Sequence, residues 1–278
     1  MASTTAASSE YVLGTDDPER DRLRRQHELW LEEAVKGWRA AGVGHGAKVL
    51  DIGCGPGLAT ASLLELVGAE GYVAGLELSP TFVAQARERC AATGLRNAEL
   101  IEFDVLRSSL PERLRGTFDV AWCRWLAMFL PAPERIVATA RDALRPGGTM
   151  IFHEYVDYGT YALCPRGDRV REFVDFAIKS FARDGGDAHV ARRLPAMLEQ
   201  GGFAVQSLRP IPRIGRPGDA AWNWPAGFIR VFAPKIVALG LADHAWCSAL
   251  LEEVAHAERD PGAFFVAPTV LEIIAGKR

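Results

Sequence analysis

The ten residues from Lys48 to Gly57 constrain this chain more than any others. Val49 and Leu50 form an apolar β-type run that feeds Asp51, and glycines follow at 53, 55 and 57. A helical pattern then begins at Leu58 and continues to Val67. Glycine has no Cβ, so it suits a backbone that must turn sharply or lie against a ligand. A glycine-rich turn between a parallel strand and a helix opens a ligand site at the carboxyl edge of the sheet. The spacing departs from the dinucleotide fingerprint G-x-G-x-x-G, because the third glycine arrives one place early. A pyrophosphate is therefore not the expected ligand.

Two further acids fall at matching places. Glu77 stands twenty positions past Gly57 and closes the apolar run from Tyr72 to Leu76. Phe103 and Asp104 end a third run. A carboxylate that closes the second strand can take both hydroxyls of a ribose. With these residues the chain resembles the class I S-adenosylmethionine-dependent methyltransferases of small-molecule type. The resemblance is carried mainly by residues 45–156, and less by 189–212 and 264–275. It implies S-adenosylmethionine as cofactor, with Gly53, Cys54, Gly55 and Gly57 passing under its amino-acid part and Asp51 beside them. It implies Glu77 on the ribose, Leu78 against the adenine, Asp104 at the adenine amino group, and Phe103 and Val105 nearby. Cys123 and Arg124 would border the methionine end. Arg124 either holds the cofactor carboxylate or forms a surface ion pair.

Strands expected at 47–52, 72–77, 98–103, 118–123 and 149–156 alternate with helices at 58–67, 80–92 and 133–144. Such alternation argues a parallel sheet with helices on both faces. Ser79 is placed to cap the second of these helices, and Arg145-Pro146-Gly147-Gly148 to stop the third. The expected fold class is α/β: a doubly wound, mostly parallel seven-stranded sheet of Rossmann-like methyltransferase type, with helical cap insertions. The expected segments are a tail and lid helix (1–45), a cofactor-binding core (46–156), a cap insertion (157–188), a core helix and strand (189–212), a helical cap insertion (213–262) and a last core strand (263–278). Within them the pattern predicts helices at 168–182, 189–200, 218–239 and 243–258. It predicts strands at 203–210 and 266–275. A family member would run the final strand antiparallel between the fifth and sixth.

Residues 16–41 read as an amphipathic helix capped by Asp16 or Asp17, with Leu23, Trp30 and Ala34 near one face. Its Arg20, Arg22, Arg24 and Arg25 are expected on a solvated face, and Trp30 in the core. Tyr11 and Gln26 are the candidates for a lid over the cofactor, as the resemblance suggests. At the end of the fifth strand, His153 and Tyr155 are the candidate catalytic residues. A histidine titrates near neutrality and can deprotonate a hydroxyl; a hydrogen-bonded structural role is the competing reading. Alternation keeps 153, 154 and 155 from all facing one pocket. The later aromatic residues Trp222, Trp224, Phe228, Phe232 and Trp246 suit either a flat apolar substrate or a satellite core.

Composition limits the partners. Net charge is −3 and charged residues make 24% of the chain, so no global attraction to nucleic acid or anionic membrane is built in. No apolar run approaches the roughly 20 residues that span a bilayer. The N-terminus lacks a basic start and apolar core, so no secretory signal is expected. Five scattered cysteines without a C-x-x-C pair argue against a disulfide framework or structural metal and fit a cytoplasmic setting. The expected partner is a small-molecule methyl acceptor, apolar or aromatic, methylated at O, N or C. A methyltransferase acting on RNA or protein, and a non-catalytic S-adenosylmethionine binder, are the alternatives. Oligomeric state is not legible.

Overall fold

A computed structural model describes residues 17–278, with side chains from Glu19 onward. Its central sheet carries β1 (Lys48–Ile52), β2 (Tyr72–Glu77), β3 (Ala98–Glu102), β4 (Phe118–Arg124), β5 (Leu144–Asp157), β7 (Phe203–Ile211) and β10 (Thr269–Lys277). The strand order is β3-β2-β1-β4-β5-β10-β7. The first five strands pair in parallel, and β10 lies antiparallel between β5 and β7. Helices α2 (Leu58–Val67), α3 (Pro80–Ala92) and α4 (Glu134–Ala143) make the early crossovers. Strands buried on both faces read as continuous apolar runs, which is why β1, β2 and β4 were legible. The strand order reverses between β1 and β4, so the crevice beyond their carboxyl ends is the ligand-binding position of such a sheet.

The first helix, α1 (Asp17–Ala40), lies across the sheet and buries Trp30, Ala34 and Trp38 completely. Trp38 meets Trp122 of β4 edge-on at 5.4 Å. Gly37 makes this close approach possible, since a Cβ there would collide with the Glu272 carboxylate of β10. That carboxylate accepts from Arg209 of β7 through two nitrogens at 2.8 and 2.9 Å, and Arg209 also reaches Glu33 of α1 at 2.5 Å. A charged network therefore joins the helix to the far side of the sheet.

Beyond β5 lie α5 (Asp168–Arg183), α6 (Leu194–Gln200), α7 (Ala220–Ala238) and α8 (His244–Ala257). Three expectations are corrected here. The helix expected at 189–200 is broken: a 3-10 turn at Val190–Arg192 precedes α6, and Pro195, in the first turn of α6, has no N–H to donate back to that turn. The strand expected at 266–275 is two strands. Phe264–Val266 is β9, and β10 starts only after Pro268. β9 joins β6 (Ala162–Cys164) and β8 (Ile214–Gly215) in a small antiparallel sheet that the sequence did not suggest. Finally, Arg22 is not on a solvated face: it is 9% exposed and bonds Glu19, itself fully buried, at 2.7 and 2.8 Å. Arg20, Arg24 and Arg25 are exposed as expected. No helix of the described residues is long and apolar enough to cross a membrane.

Candidate functional site

Three adjoining cavities follow the carboxyl edge of the sheet. The middle one encloses about 1250 Å³, mouth included, and is lined by Asp51, Gly53, Gly55, Glu77 and Arg124 among others. The turn after β1 shapes its floor. Gly53 and Cys54 both donate their backbone N–H to Leu76 O of β2, at 2.8 and 3.0 Å. Gly53, Gly55 and Gly57 all adopt left-handed φ values of 75°, 54° and 77°, a region that costs other residues strain. A Cβ on Gly57 would also lie 2.7 Å from Ala86 Cα in α3. Gly57 therefore does not line the cavity; it lets the turn pack against the neighbouring helix. Gly55 meets nothing within 4 Å at its Cβ position and faces open space.

The Glu77 carboxylate is held by the backbone. Oε2 accepts from Gly55 N at 3.0 Å and Oε1 from Ser79 N at 2.9 Å. Burial raises its pKa, and these amide bonds oppose the shift. Asp51 accepts from Thr60 Oγ1 at 2.7 Å, and burial pushes its pKa up to about 6. Arg124 is not a surface ion pair. Burial lowers its pKa to about 10, and its Nη1 is buried without a partner. Its Nη2 donates to His27 Nδ1 at 3.0 Å. An arginine only donates, so His27 Nδ1 accepts and its Nε2–H is directed to Ser62 Oγ at 3.1 Å. Desolvation, then Arg124 and Arg89, drive the His27 pKa down to about 3, which keeps it neutral.

The second cavity, about 820 Å³, lies beyond Glu77 and holds Phe103, Asp104, Val105 and Leu106. It shares Gly53, Glu77 and Leu78 with the middle cavity. Asp104 accepts from Leu106 N at 2.9 Å. The third cavity, about 510 Å³, lies on the other side, where Gln26, Trp125 and Phe129 form a wall common to it and the middle cavity. Tyr155, Tyr158, Tyr161, Phe181 and Trp224 are among its aromatic residues. Trp125 is the one non-glycine residue with positive φ (52°) among the described residues. It stacks on Tyr155 and on Trp224, each at 5.8 Å, and Arg124 lies over its ring at 5.0 Å. Strained backbone of this kind concentrates at functional sites. Gln26 Oε1 accepts from both Arg22 Nη1 (2.7 Å) and Trp224 Nε1 (2.9 Å), which ties α1 to α7 at the seam of the two cavities.

Besides Gly57, two expected residues fall elsewhere. Cys123 is fully buried in the core and lines none of these cavities, because alternation along β4 turns it away from Trp122 and Arg124. His153 is also fully buried; its Nε2 lies 2.9 Å from Glu272 Oε2 and its ring meets Trp122 at 4.7 Å. Burial lowers its pKa, and it borders none of the three cavities. Tyr11 lies outside the described residues. The sequence reading missed Arg22 and Thr60. A signal for Arg22 existed: residues 22, 26 and 30 recur at helical spacing and share one face with the buried Trp30.

Comparison with known proteins adds a likeness. Residues 49–148 match the family model described as a methyltransferase domain. Residues 49–148 are therefore similar to the domains of known methyltransferases. Among curated relatives, aklanonic acid methyltransferase DauC of Streptomyces sp. strain C5 is 34% identical over 121 residues, covering 43% of this chain and 54% of that protein. Ubiquinone biosynthesis O-methyltransferase of Methylococcus capsulatus is 31% identical over 162 residues, covering 51% and 63%. The chain thus spans somewhat more than half the length of the curated relatives it matches. A solved SAM-dependent methyltransferase from Aquifex aeolicus superposes with TM-score 0.54 at 16% identity, covering 95% of this chain and 100% of that one. The methyltransferase core makes S-adenosylmethionine its cofactor, and the side chains present suit one. Carboxylates at 77 and 104 face the two cavities that share Leu78, and the buried Arg124 has an unpartnered nitrogen beside a third carboxylate, Asp51.

Proposed function

We propose that the protein transfers a methyl group to a small, largely aromatic acceptor held in the third cavity. The observation that carries this reading is the shared wall of Gln26, Trp125 and Phe129 between the polar middle cavity and the aromatic one. A donor and an acceptor in these two spaces would meet there. Asp104 would face the adenine, Glu77 the ribose hydroxyls, and Arg124 the methionine carboxylate, with Asp51 and the turn at Gly53 and Gly55 beneath. S-adenosylmethionine supplies an already activated methyl group and departs as a neutral thioether. The protein's own work is then alignment and exclusion of water. The described part of the first segment, 17–45, serves as the cover together with 157–188 and 213–262.

The described residues that line the acceptor cavity include no carboxylate and no imidazole. Burial raises the pKa values of Tyr158 and Tyr161. Neither phenol is a base near neutrality, and His153 lies away from the cavity. The acceptor therefore brings its own nucleophile, either an ionised oxygen or a neutral amine. A related expectation comes from the curated relatives, whose names are those of small-molecule methyltransferases. Incubation with methyl-labelled S-adenosylmethionine and a panel of phenols, carboxylic acids and amines tests the proposal. Label in at least one flat aromatic product supports it. Cofactor binding without transfer to any acceptor would assign the chain to non-catalytic binding instead.

A further inference from the structure

The acceptor cavity has an apolar wall with few polar groups, and most of those are engaged. Tyr161 donates its hydroxyl to Pro225 O at 2.6 Å. Gln26 Oε1 serves Arg22 and Trp224, and the Arg22 charge is matched by Glu19. Tyr158 differs. Its side chain is 3% exposed and lines the cavity, yet its hydroxyl bonds to no described residue. A hydroxyl that opens on an apolar cavity with no protein partner is free to bond a ligand there.

The ring is fixed from several sides. Tyr155, Tyr161 and Phe181 meet it edge-on at 5.1, 6.1 and 5.7 Å. Its backbone N–H donates to His189 Nδ1 at 3.2 Å. Asp157 caps the short 3-10 turn Tyr158–Thr160 by accepting from Gly159 N at 2.9 Å. A hydroxyl held this firmly, in so apolar a setting, is suited to select one hydrogen-bonding atom of a ligand.

We infer that Tyr158 anchors an oxygen of the acceptor, so that the acceptor class is a flat ring system carrying a hydroxyl or carbonyl within reach of this phenol. The inference rests on reading the third cavity as the acceptor site. Burial keeps the phenol neutral, so it acts as a hydrogen-bond donor or acceptor and takes no proton from the substrate. Tyr158 is thereby a specificity residue.

Equilibrium dialysis of the full chain with 2-naphthol and with naphthalene tests this, each with and without S-adenosylhomocysteine. The wild type is expected to prefer 2-naphthol by roughly tenfold, about one hydrogen bond. Tyr158→Phe keeps the ring packing and should bring the two probes to within about twofold while naphthalene binding stays the same. A merely structural role would not erase that difference selectively. Equal binding of the probes by wild type, binding of neither, or an undiminished preference in Tyr158→Phe overturns the inference. Calorimetry with S-adenosylhomocysteine on the same preparations separates the two levels. A lost donor site with the naphthol preference intact would discard methyl transfer and leave the Tyr158 anchor standing.

Discussion

The donor and acceptor sides of this site are built on opposite plans. On the donor side, the functional groups sit at or just past the ends of core strands, and two of the carboxylates are held by nearby backbone: Glu77 by the amides of Gly55 and Ser79, Asp104 by that of Leu106. On the acceptor side, rings from the turn after β4, the end of β5 and the turn beyond it, α5 and α7 converge, beside Arg22 and Gln26 of α1. Few hydrogen bonds fix them; aromatic packing does, as in the Tyr155–Trp125–Trp224 stack. The difference teaches that a chain can keep a fixed donor mount in its sheet while its substrate surface is made of parts that vary independently.

Substitutions can break this contrast. The largest effect is expected for Gly57→Val. A β-branched residue at φ 77°, with its Cβ 2.7 Å from Ala86 Cα, should destabilise by roughly 3 kcal/mol, read by chemical denaturation. It should also displace the donor turn while leaving the acceptor wall in place. Glu77→Ala should weaken S-adenosylhomocysteine binding by roughly 1–3 kcal/mol in calorimetry and leave naphthalene binding unchanged. Equal losses for both ligands would mean that the two sides are not independent.

The acceptor side has a pH signature of its own. Glu154 is fully buried beneath the turn that carries Met128 and Phe129, and accepts from Ala127 N at 2.7 Å. Desolvation raises its pKa to about 8. Below the ordinary value of 4.5 both folded and unfolded states are protonated. Between 4.5 and 8 the unfolded chain ionises first, so this carboxyl subtracts stability as pH rises. From pH 5.5 to 7.5 the loss is on the order of 2 kcal/mol, and Glu154→Gln should flatten that part of the stability profile. An unchanged profile would show that the carboxyl is ionised throughout. The smallest effect is expected for Trp224→Phe. It removes the donor to Gln26 at the seam of the cavities and should cost about 1 kcal/mol of thermal stability, with donor affinity intact.

The same contrast explains what the sequence revealed. The donor side was legible because its groups follow local rules: glycines after one strand, an acid closing the next, a serine cap before Pro80. The seven-stranded sheet was legible for the same reason, through alternating apolar runs. Pro195 and Pro268 broke two expected elements in ways that proline chemistry accounts for. The small sheet of β6, β8 and β9 was hidden because strands of two or three residues carry no periodicity. His153 and Tyr155 are two residues apart, yet only Tyr155 borders a cavity; Glu272, remote in sequence, draws His153 inward. For the acceptor wall, an aromatic residue reads the same whether it faces a ligand or a core. Trp125 gave no sign of its backbone strain.

The most direct test is the crystal structure of this chain soaked with S-adenosylhomocysteine. Density should run along the sheet edge, with the adenine beside Asp104, the ribose hydroxyls on Glu77, and the amino-acid carboxylate toward Arg124. The sulfur should point at Trp125. A nucleoside bound away from Glu77, or an empty crevice at saturating ligand, would contradict the account.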